Sequence, residues 1–187
     1  DSLLQFHNEM KELGNKWLFI CSHSGYKACH DKIEKSFEGA DDVREYEIFG
    51  GVSSVGEIER MREIVRKNGL NVVVGVGGGS AIDTAKATAY YEKLPVVIVP
   101  TVVATDPPCT GLSVIYNNDQ TFNSYLFYPK NPEAVIVDSA VIANAPVKFL
   151  VAGMGDALGT FFEARACERT DAPSLENGGI TRSAMAL

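Results

Sequence analysis

The segment that most restricts the fold of this chain is a β-branched run that leads through three glycines into a helical pattern. Residues 72–76 are suited to a buried strand, residues 77–79 are all glycine, and residues 80–91 have helical spacing. A strand joined to a helix by a tight turn is half of a βαβ unit. Because such helices connect parallel strands, the segment predicts an α/β fold with a parallel sheet.

The same alternation of strand and helix patterns continues along most of the chain. Apolar runs that lack polar alternation predict strands covered by helices on both faces. The predicted strands span residues 17–21, 43–49, 71–76, 95–99 and 134–138, and the predicted helices span residues 2–13, 26–37, 55–67, 80–91 and 155–169. Two further apolar runs, 112–116 and 125–128, flank a polar turn and predict a hairpin.

We expect a domain boundary near residues 144–146, because the chain has a helical pattern from Pro146 onward. We expect residues 1–145 to form a Rossmann-like α/β domain, a parallel sheet with helices on both faces. Residues 146–187 then begin an all-helical C-terminal domain. Because an average domain has about 150 residues, we expect the chain to stop inside that second domain.

Charge and composition exclude several classes of function. The chain has 17 basic and 24 acidic residues, so its net charge is −7, which disfavours nucleic-acid binding and membrane-surface binding. No apolar run approaches the roughly 18 residues of a membrane span, and no basic leader pattern opens the sequence. The four cysteines form no Cys-x-x-Cys pair and favour a reducing compartment, so we expect a cytoplasmic location.

The glycine loop, residues 77–80, is a candidate phosphate site. Free N–H groups and the helix dipole at such a helix start favour an anion, although a tight turn without a ligand is the alternative. The sequence departs from the dinucleotide fingerprint because Ser80 stands where glycine or alanine is expected, and no Gly-Lys pair permits a P-loop. We expect Ser80 to cap the helix with Asp83 as the capping-box acid, and Lys86 to be a solvated or snorkelling side chain.

The Thr-Asp loop, residues 100–110, follows the next predicted strand and so lies at the same edge of the sheet. Its threonines offer hydroxyls, and Asp106 offers a carboxylate that either binds a ligand or closes an Asx-turn before two prolines. Cys109 is expected to be a packed residue rather than a nucleophile, since no base is near it in sequence.

A third polar segment, residues 153–158, is expected to open a helix. Asp156 then lies in its first turn, where an acid usually serves the helix dipole. One carboxylate is weak evidence for a metal, because a zinc site needs three or four ligands. Further along, Glu163 and Arg165 are expected to form a surface pair or an inter-helix contact.

Taken in order, these motifs resemble the iron-containing (metal-dependent, group III) alcohol dehydrogenase superfamily, and within it the glycerol dehydrogenase branch. The motifs are GGGSAIDTAK at 77–86, PT at 100–101, TDPPC at 105–109, LSVIY at 112–116, NPE at 131–133, IVD at 136–138 and GDAL at 155–158. The resemblance covers nearly the whole chain, and the TDPPC and LSVIY motifs are what indicate the glycerol branch.

The resemblance implies NAD-dependent oxidation of glycerol, or a similar small polyol, to dihydroxyacetone, with zinc polarising the alcohol and hydride passing to the nicotinamide. By this resemblance Asp106 binds the substrate and Asp156 is a zinc ligand. The implied cofactor-binding residues are Gly77, Gly78, Gly79, Ser80, Ala81, Asp83, Thr101, Ala104, Thr105, Thr110, Leu112 and Tyr116. The family also implies a homo-oligomer for the full-length protein.

Two departures from the family pattern matter. The family places an acid after its first Rossmann-like strand to hold the ribose, and here Ser22 takes that position, which leaves the choice between NAD and NADP open. The family completes its zinc site with two histidines, but no histidine follows His30. The family's amino-terminal strand also has no counterpart, so we expect an incomplete piece of such an enzyme that does not turn over glycerol alone.

Two alternatives stay open. One is another metal-dependent alcohol dehydrogenase or a glycerol-phosphate dehydrogenase of the same superfamily, although the Thr-Asp loop contains no Arg or Lys for a phosphate. The other is a non-catalytic nucleotide-binding fragment.

Overall fold

A five-stranded parallel sheet forms the centre of the computed structural model, which describes residues 1–173. In chain order the strands are β1 (Lys16–Cys21), β2 (Val43–Ile48), β3 (Val72–Gly77), β4 (Val96–Pro100), β5 (Leu112–Tyr116), β6 (Phe122–Phe127) and β7 (Ala134–Val135). The helices are α1 (Phe6–Met10), α2 (His23–Ser36), α3 (Val55–Asn68), α4 (Gly79–Glu92), α5 (Ser139–Ala143) and α6 (Val147–Thr170). β5 and β6 form a separate antiparallel hairpin, as expected.

The strand order in the main sheet is β2-β1-β3-β4-β7, and every neighbouring pair is parallel. The chain moves outward from β1 to β2, and then returns to the other side of β1 to add β3. The carboxyl ends of β1 and β3 therefore flank the topological switch point, where ligands bind in open α/β sheets.

Alternate side chains of the buried strands divide between two helical layers. Trp17 and Phe19 of β1 lie in a core cluster with α1 and α2, whereas Leu18 and Ile20 lie in a second cluster with α3 and α4. The expected fold class, a parallel sheet with helices on both faces, is confirmed.

Serine caps fix the starts of two helices on this sheet. The Ser22 hydroxyl accepts from the Gly25 N–H at the start of α2, and the Ser54 hydroxyl accepts from the Glu57 N–H at the start of α3. Such caps satisfy N–H groups that have no partner inside the helix.

Several predicted boundaries were wrong. The expected helix 2–13 is interrupted, because 3-10 turns at Ser2–Gln5 and Lys11–Leu13 flank the five-residue α1. The strand expected at 134–138 ends at Val135, since the Asp138 side chain instead caps α5. The second hairpin strand starts at Phe122, directly after a turn in which the Asp119 carboxylate accepts from the Thr121 N–H.

The largest difference concerns α6. Gly153 and Gly155 suggested a helix start, but α6 begins at Val147, so both glycines and Asp156 lie inside it. A steric constraint explains the glycine at position 153, because a Cβ there would overlap the carbonyl oxygen of Val103. The assignment of residues 146–187 to a separate helical domain stays a prediction, and residues 174–187 lie outside the described residues.

Two further findings bear on the environment of the chain. The four cysteines are free thiols, and burial raises the pKa of Cys21 to about 12. Within residues 1–173 no helix has the length and apolar character needed to cross a membrane.

Candidate functional site

The glycine loop and the Thr-Asp loop meet at the carboxyl edge of the sheet. The Thr101 N–H donates to the Gly77 carbonyl at 3.0 Å, which continues the register of β3 and β4 beyond Pro100. A Cβ at Gly78 would lie 3.3 Å from Val102, and one at Gly79 would lie 3.3 Å from Pro107. The bare glycines therefore let the second loop pack closely over the first.

The three glycines are required because neighbouring atoms leave no room for a side chain, and not because the backbone adopts an unusual conformation. None of them has a positive φ, and Gly78 has φ −93° and ψ −174°, which any residue adopts. A Cβ at Gly77 would lie 3.0 Å from both Ser22 Oγ and the Ala81 Cβ. The expectation of close backbone approach at this loop agrees with this geometry, although the neighbours seen are protein atoms.

The start of α4 differs from the capped starts of α2 and α3. Its N-cap residue is Gly78, which has no side chain to accept from the first-turn N–H groups. Ser80, the expected cap, is an exposed residue inside the first turn, so that prediction was wrong. The helix starts one residue earlier than the sequence pattern indicated, because Gly78 already has the extended conformation of an N-cap.

The uncapped helix start lies beside the switch point. The Ser22 N–H donates to the Val76 carbonyl at 2.9 Å, which joins the ends of β1 and β3. A cavity of about 460 Å³ opens between the start of α2, the Thr-Asp loop and α5. Its lining residues are Ser24, Ala28, Lys32, Thr101, Val102, Ala140, Val141, Asn144, Ala145, Pro146 and Phe149. Of the expected site residues, Thr101 borders this cavity.

Asp83 does not act as a capping-box acid. Its carboxylate faces the hairpin, where Oδ2 accepts from the Val114 N–H at 3.2 Å, and the residue is 6 % exposed. Burial raises the pKa of this carboxyl group, against the opposing effect of Lys86. The prediction failed because α4 is covered by β5, a contact between distant parts of the chain.

Lys86 was missed as a structural residue. It was expected to be solvated or to snorkel to the surface, but the residue is 2 % exposed. Its ammonium donates to the carbonyls of Pro107 (2.9 Å), Thr110 (3.3 Å) and Leu112. Burial lowers the pKa of the ammonium, against the opposing charge of Asp83. The available sequence signal was the run of small and apolar residues around it, since all of residues 81–89 are buried.

The Thr-Asp loop presents Asp106 to solvent. The turn is closed by the Asp106 backbone carbonyl, which accepts from the Cys109 N–H at 3.0 Å, so it is not a side-chain Asx-turn. Among residues 1–173, the one hydrogen-bond donor to the carboxylate is the Thr105 hydroxyl, at 3.3 Å. Cys109 is exposed rather than packed, because the turn directs it outward.

The remaining predicted cofactor residues are spread along the loop and the hairpin. Ala104, Thr110 and Leu112 are half-buried, and the Leu112 carbonyl lies at the Lys86 ammonium. Tyr116, at the far end of β5, donates its N–H to the Ser53 carbonyl at 2.9 Å. The structure thus gathers the Thr-Asp loop over the glycine loop, and places Tyr116 beside the start of α3.

Asp156 is exposed in the middle of α6 rather than in a first turn. Within residues 1–173, no group of three or more His, Cys, Asp or Glu side chains is placed to hold a metal ion. The described residues therefore do not fit a zinc centre. The expected Glu163–Arg165 contact is absent from this part of the chain, and Arg165 instead lies over the rings of Phe161 and Phe162.

Comparisons with known proteins agree with this geometry. The family model "Iron-containing alcohol dehydrogenase" matches residues 1–139. The chain is 40% identical to a glycerol dehydrogenase of Pseudomonas putida over 187 residues, covering 100% of the chain and 51% of the relative. It is 53% identical to one of Thermotoga maritima over 142 residues, covering 75% of the chain and 39% of the relative.

A solved structure has the same fold. The crystal structure of a probable glycerol dehydrogenase from Sinorhizobium meliloti 1021 matches with a TM-score of 0.86 at 36% identity, covering 99% of this chain and 50% of that one. The chain spans about half the length of the curated relatives it matches. The matched residues, the sheet and the order of the loops lead to one conclusion: the chain belongs to the iron-containing alcohol dehydrogenase family.

Proposed function

We propose that the chain is the nucleotide-binding portion of an NAD-dependent dehydrogenase that oxidises glycerol to dihydroxyacetone. The observation that carries the proposal is the uncapped start of α4 at the switch point, beneath the Thr-Asp loop. Free N–H groups there suit a pyrophosphate. The names of the relatives, which are glycerol dehydrogenases, support the substrate class.

In this proposal Gly77, Gly78, Gly79, Ser80 and Ala81 bind the pyrophosphate through their backbone. Asp83 is left out of the contact set because its carboxylate is directed to the hairpin. The Thr-Asp loop covers the cofactor with Thr101, Ala104, Thr105 and Thr110, and Leu112 and Tyr116 extend the contact along β5. NAD, when bound, supplies the hydride acceptor.

The polyol is assigned to Asp106, whose exposed carboxylate can accept hydrogen bonds from two hydroxyls. A phosphorylated substrate is disfavoured because the Thr-Asp loop has no Arg or Lys. Asp156 as a zinc ligand stays a prediction, and no step is assigned to a metal because residues 1–173 do not group the ligands. A cytoplasmic location and a homo-oligomer also stay predictions.

Calorimetric titration of the purified chain with NAD⁺ and with NADP⁺ tests the proposal. NAD⁺ should bind, and Gly78→Val should abolish binding, since its side chain would cover the start of α4. Gly155→Ala is the matched control, because no atom lies within 4 Å of a Cβ there. Equal binding of NAD⁺ by all three proteins would contradict the assignment.

Turnover separates the proposal from a non-catalytic nucleotide-binding module. NAD⁺ reduction with glycerol would be measured for the chain and for the full-length protein. Asp106→Asn should leave the NAD⁺ dissociation constant within about twofold and lower kcat/KM for glycerol by about 100-fold. Nucleotide binding without turnover in the full-length protein would favour the binding module.

A further inference from the structure

The ammonium of Lys86 is buried among backbone carbonyls rather than solvated. Its three N–H groups have three carbonyl acceptors, on Pro107, Thr110 and Leu112. These carbonyls belong to the second half of the Thr-Asp loop and to the first residue of β5. A single side chain of α4 therefore holds the segment that carries Asp106.

Asp83 completes this arrangement from the preceding turn of α4. Its Oδ1 lies 3.1 Å from the Lys86 ammonium and forms an ion pair with it, whereas Oδ2 accepts from the Val114 N–H. Asp83 thus balances the buried positive charge of Lys86, whose ammonium also donates to the loop carbonyls. Its own backbone carbonyl accepts from the Ser113 hydroxyl at 3.2 Å, which holds β5 against α4.

The Thr-Asp loop also packs against the glycine loop and, at Val103, against Gly153 of α6, but within residues 1–173 few other hydrogen bonds hold it. The Thr101 N–H is bonded to Gly77 at one end of the loop, and the Gly111 carbonyl accepts from Tyr128 just beyond the other end. Between them Asp106 and Cys109 are exposed, and in the described part of the chain their hydrogen bonds stay within the loop. Without the ammonium, three inward-facing carbonyls would lose their donor, and such groups are costly to bury unpaired.

We propose that Lys86 is a positioning residue, which with Asp83 forms a latch that holds Asp106 and Thr110 in place over the glycine loop. Lys86 does not touch the proposed substrate or cofactor in this assignment, and acts through the loop carbonyls. What the loop binds rests on the proposed function, but the latch itself does not.

The exposed thiol of Cys109 allows the loop to be observed directly. A spin label would be attached to Cys109 in a Cys167→Ser background, since Cys21 and Cys29 are buried. Lys86→Met removes the N–H donors but leaves the Asp83 carboxylate buried without its counter-charge. The double variant Asp83→Asn/Lys86→Met removes that charge as well, and replaces the single variant if the latter does not fold. Ala89→Gly weakens the same helix at a buried position that faces the sheet, and serves as the control.

In the latch variants the label should move faster, while Ala89→Gly should leave its spectrum unchanged. With the full-length protein, KM for glycerol should rise by about tenfold or more in the latch variants, because misplacement of about 1 Å at a reacting group has large effects. An unchanged label spectrum in both latch variants would overturn the proposal. So would equal effects of Ala89→Gly, since these would indicate a merely structural role.

Chemical rescue gives a second readout. Lys86 borders a cavity of about 530 Å³. Lys86→Ala should extend this cavity toward the three loop carbonyls and make room for a small amine. Propylammonium, which has N–H donors, should restore slow label motion, whereas tetramethylammonium, which has none, should not. Equal effects of both ions would contradict the role of the carbonyls. Failure of the parent chain to bind NAD⁺ would count against the proposed function alone, because the label still decides the latch.

Discussion

Helix α6 approaches the Thr-Asp loop so closely at Gly153 that a Cβ there would overlap the carbonyl oxygen of Val103 and lie 3.0 Å from its carbon. The contact joins two backbones, so neither side can move as a flexible side chain would. Gly155, two residues further along the same helix, has no atom within 4 Å of its Cβ position. The two glycines therefore differ in their structural role, since only the Cβ position of Gly153 is blocked by the described residues, although both lie inside α6.

Gly153→Ala should lower the free energy of unfolding by about 2 kcal/mol, because either α6 or the loop must shift. Gly155→Ala should instead raise it by up to about 1 kcal/mol through helix propensity. Thermal and denaturant unfolding of both variants measure the difference. Two stabilised variants would show that α6 does not dock on the loop through Gly153.

Gly25 has a comparable role at the switch point. Its Cβ would lie 2.7 Å from the Val76 carbonyl oxygen and 2.8 Å from Ser22 Oγ. Gly25→Ala should cost about 1–3 kcal/mol of unfolding free energy, because backbone of β3 must move. Gly56→Ala is the control, since there the nearest atoms belong to the Asn118 side chain, which can rotate away at the loss of one exposed hydrogen bond from the Gly56 N–H. A Gly56 variant as unstable as the Gly25 variant would contradict this explanation.

Two serines near helix starts have different roles: Ser54 is the N-cap of α3, whereas Ser80 lies inside the first turn of α4. Ser54→Ala should lower the free energy of unfolding by about 1 kcal/mol, because the Glu57 N–H loses its acceptor. Ser80→Ala should change it by less than about 0.5 kcal/mol, since Ser80 is exposed and is not the N-cap of α4. Urea unfolding resolves the two values, and a Ser80 effect as large as that of Ser54 would restore the original capping prediction.

Asp138 should contribute stability that is lost in acid. Although burial raises the pKa of this carboxyl group, hydrogen bonds from Lys32 and the Val141 N–H outweigh burial and hold it below the ordinary value. The folded state therefore binds the proton less readily than the unfolded state does. The contribution is present above about pH 4, the ordinary pKa of Asp, and disappears as pH falls through the lower folded pKa.

Asp138→Asn should accordingly lower the free energy of unfolding by about 1–2 kcal/mol at pH 7, because the ion pair with Lys32 at 3.2 Å is lost. The difference from the parent protein should shrink as the pH is lowered from 4 toward 2. Asp41→Asn, at an exposed position, provides the comparison. A difference for Asp138→Asn that stays constant over this pH range would refute the linkage.

Local patterns in the chain predicted the architecture well. The β-branched runs at β1, β3 and β4 specify buried strands, and the helical segments between them specify parallel pairing, because both signals depend only on neighbouring residues. The same patterns placed the glycine loop and the Thr-Asp loop at one edge of the sheet. Helix boundaries were less predictable, as the position of Gly153 inside α6 illustrates.

Only the tertiary structure decided which polar residues are buried and what they hold. The Lys86 ammonium donates to carbonyls 21, 24 and 26 residues away. Gly153 of α6 contacts the backbone of Val103 in the Thr-Asp loop. By sequence alone Lys86 is a solvated or snorkelling lysine of a helix, and Gly153 lies where a helix is expected to open. Their roles depend on the hairpin covering α4 and on α6 docking against the loop. Such contacts arise from chain segments that no local pattern connects, so burial and backbone approach are properties of the folded chain alone.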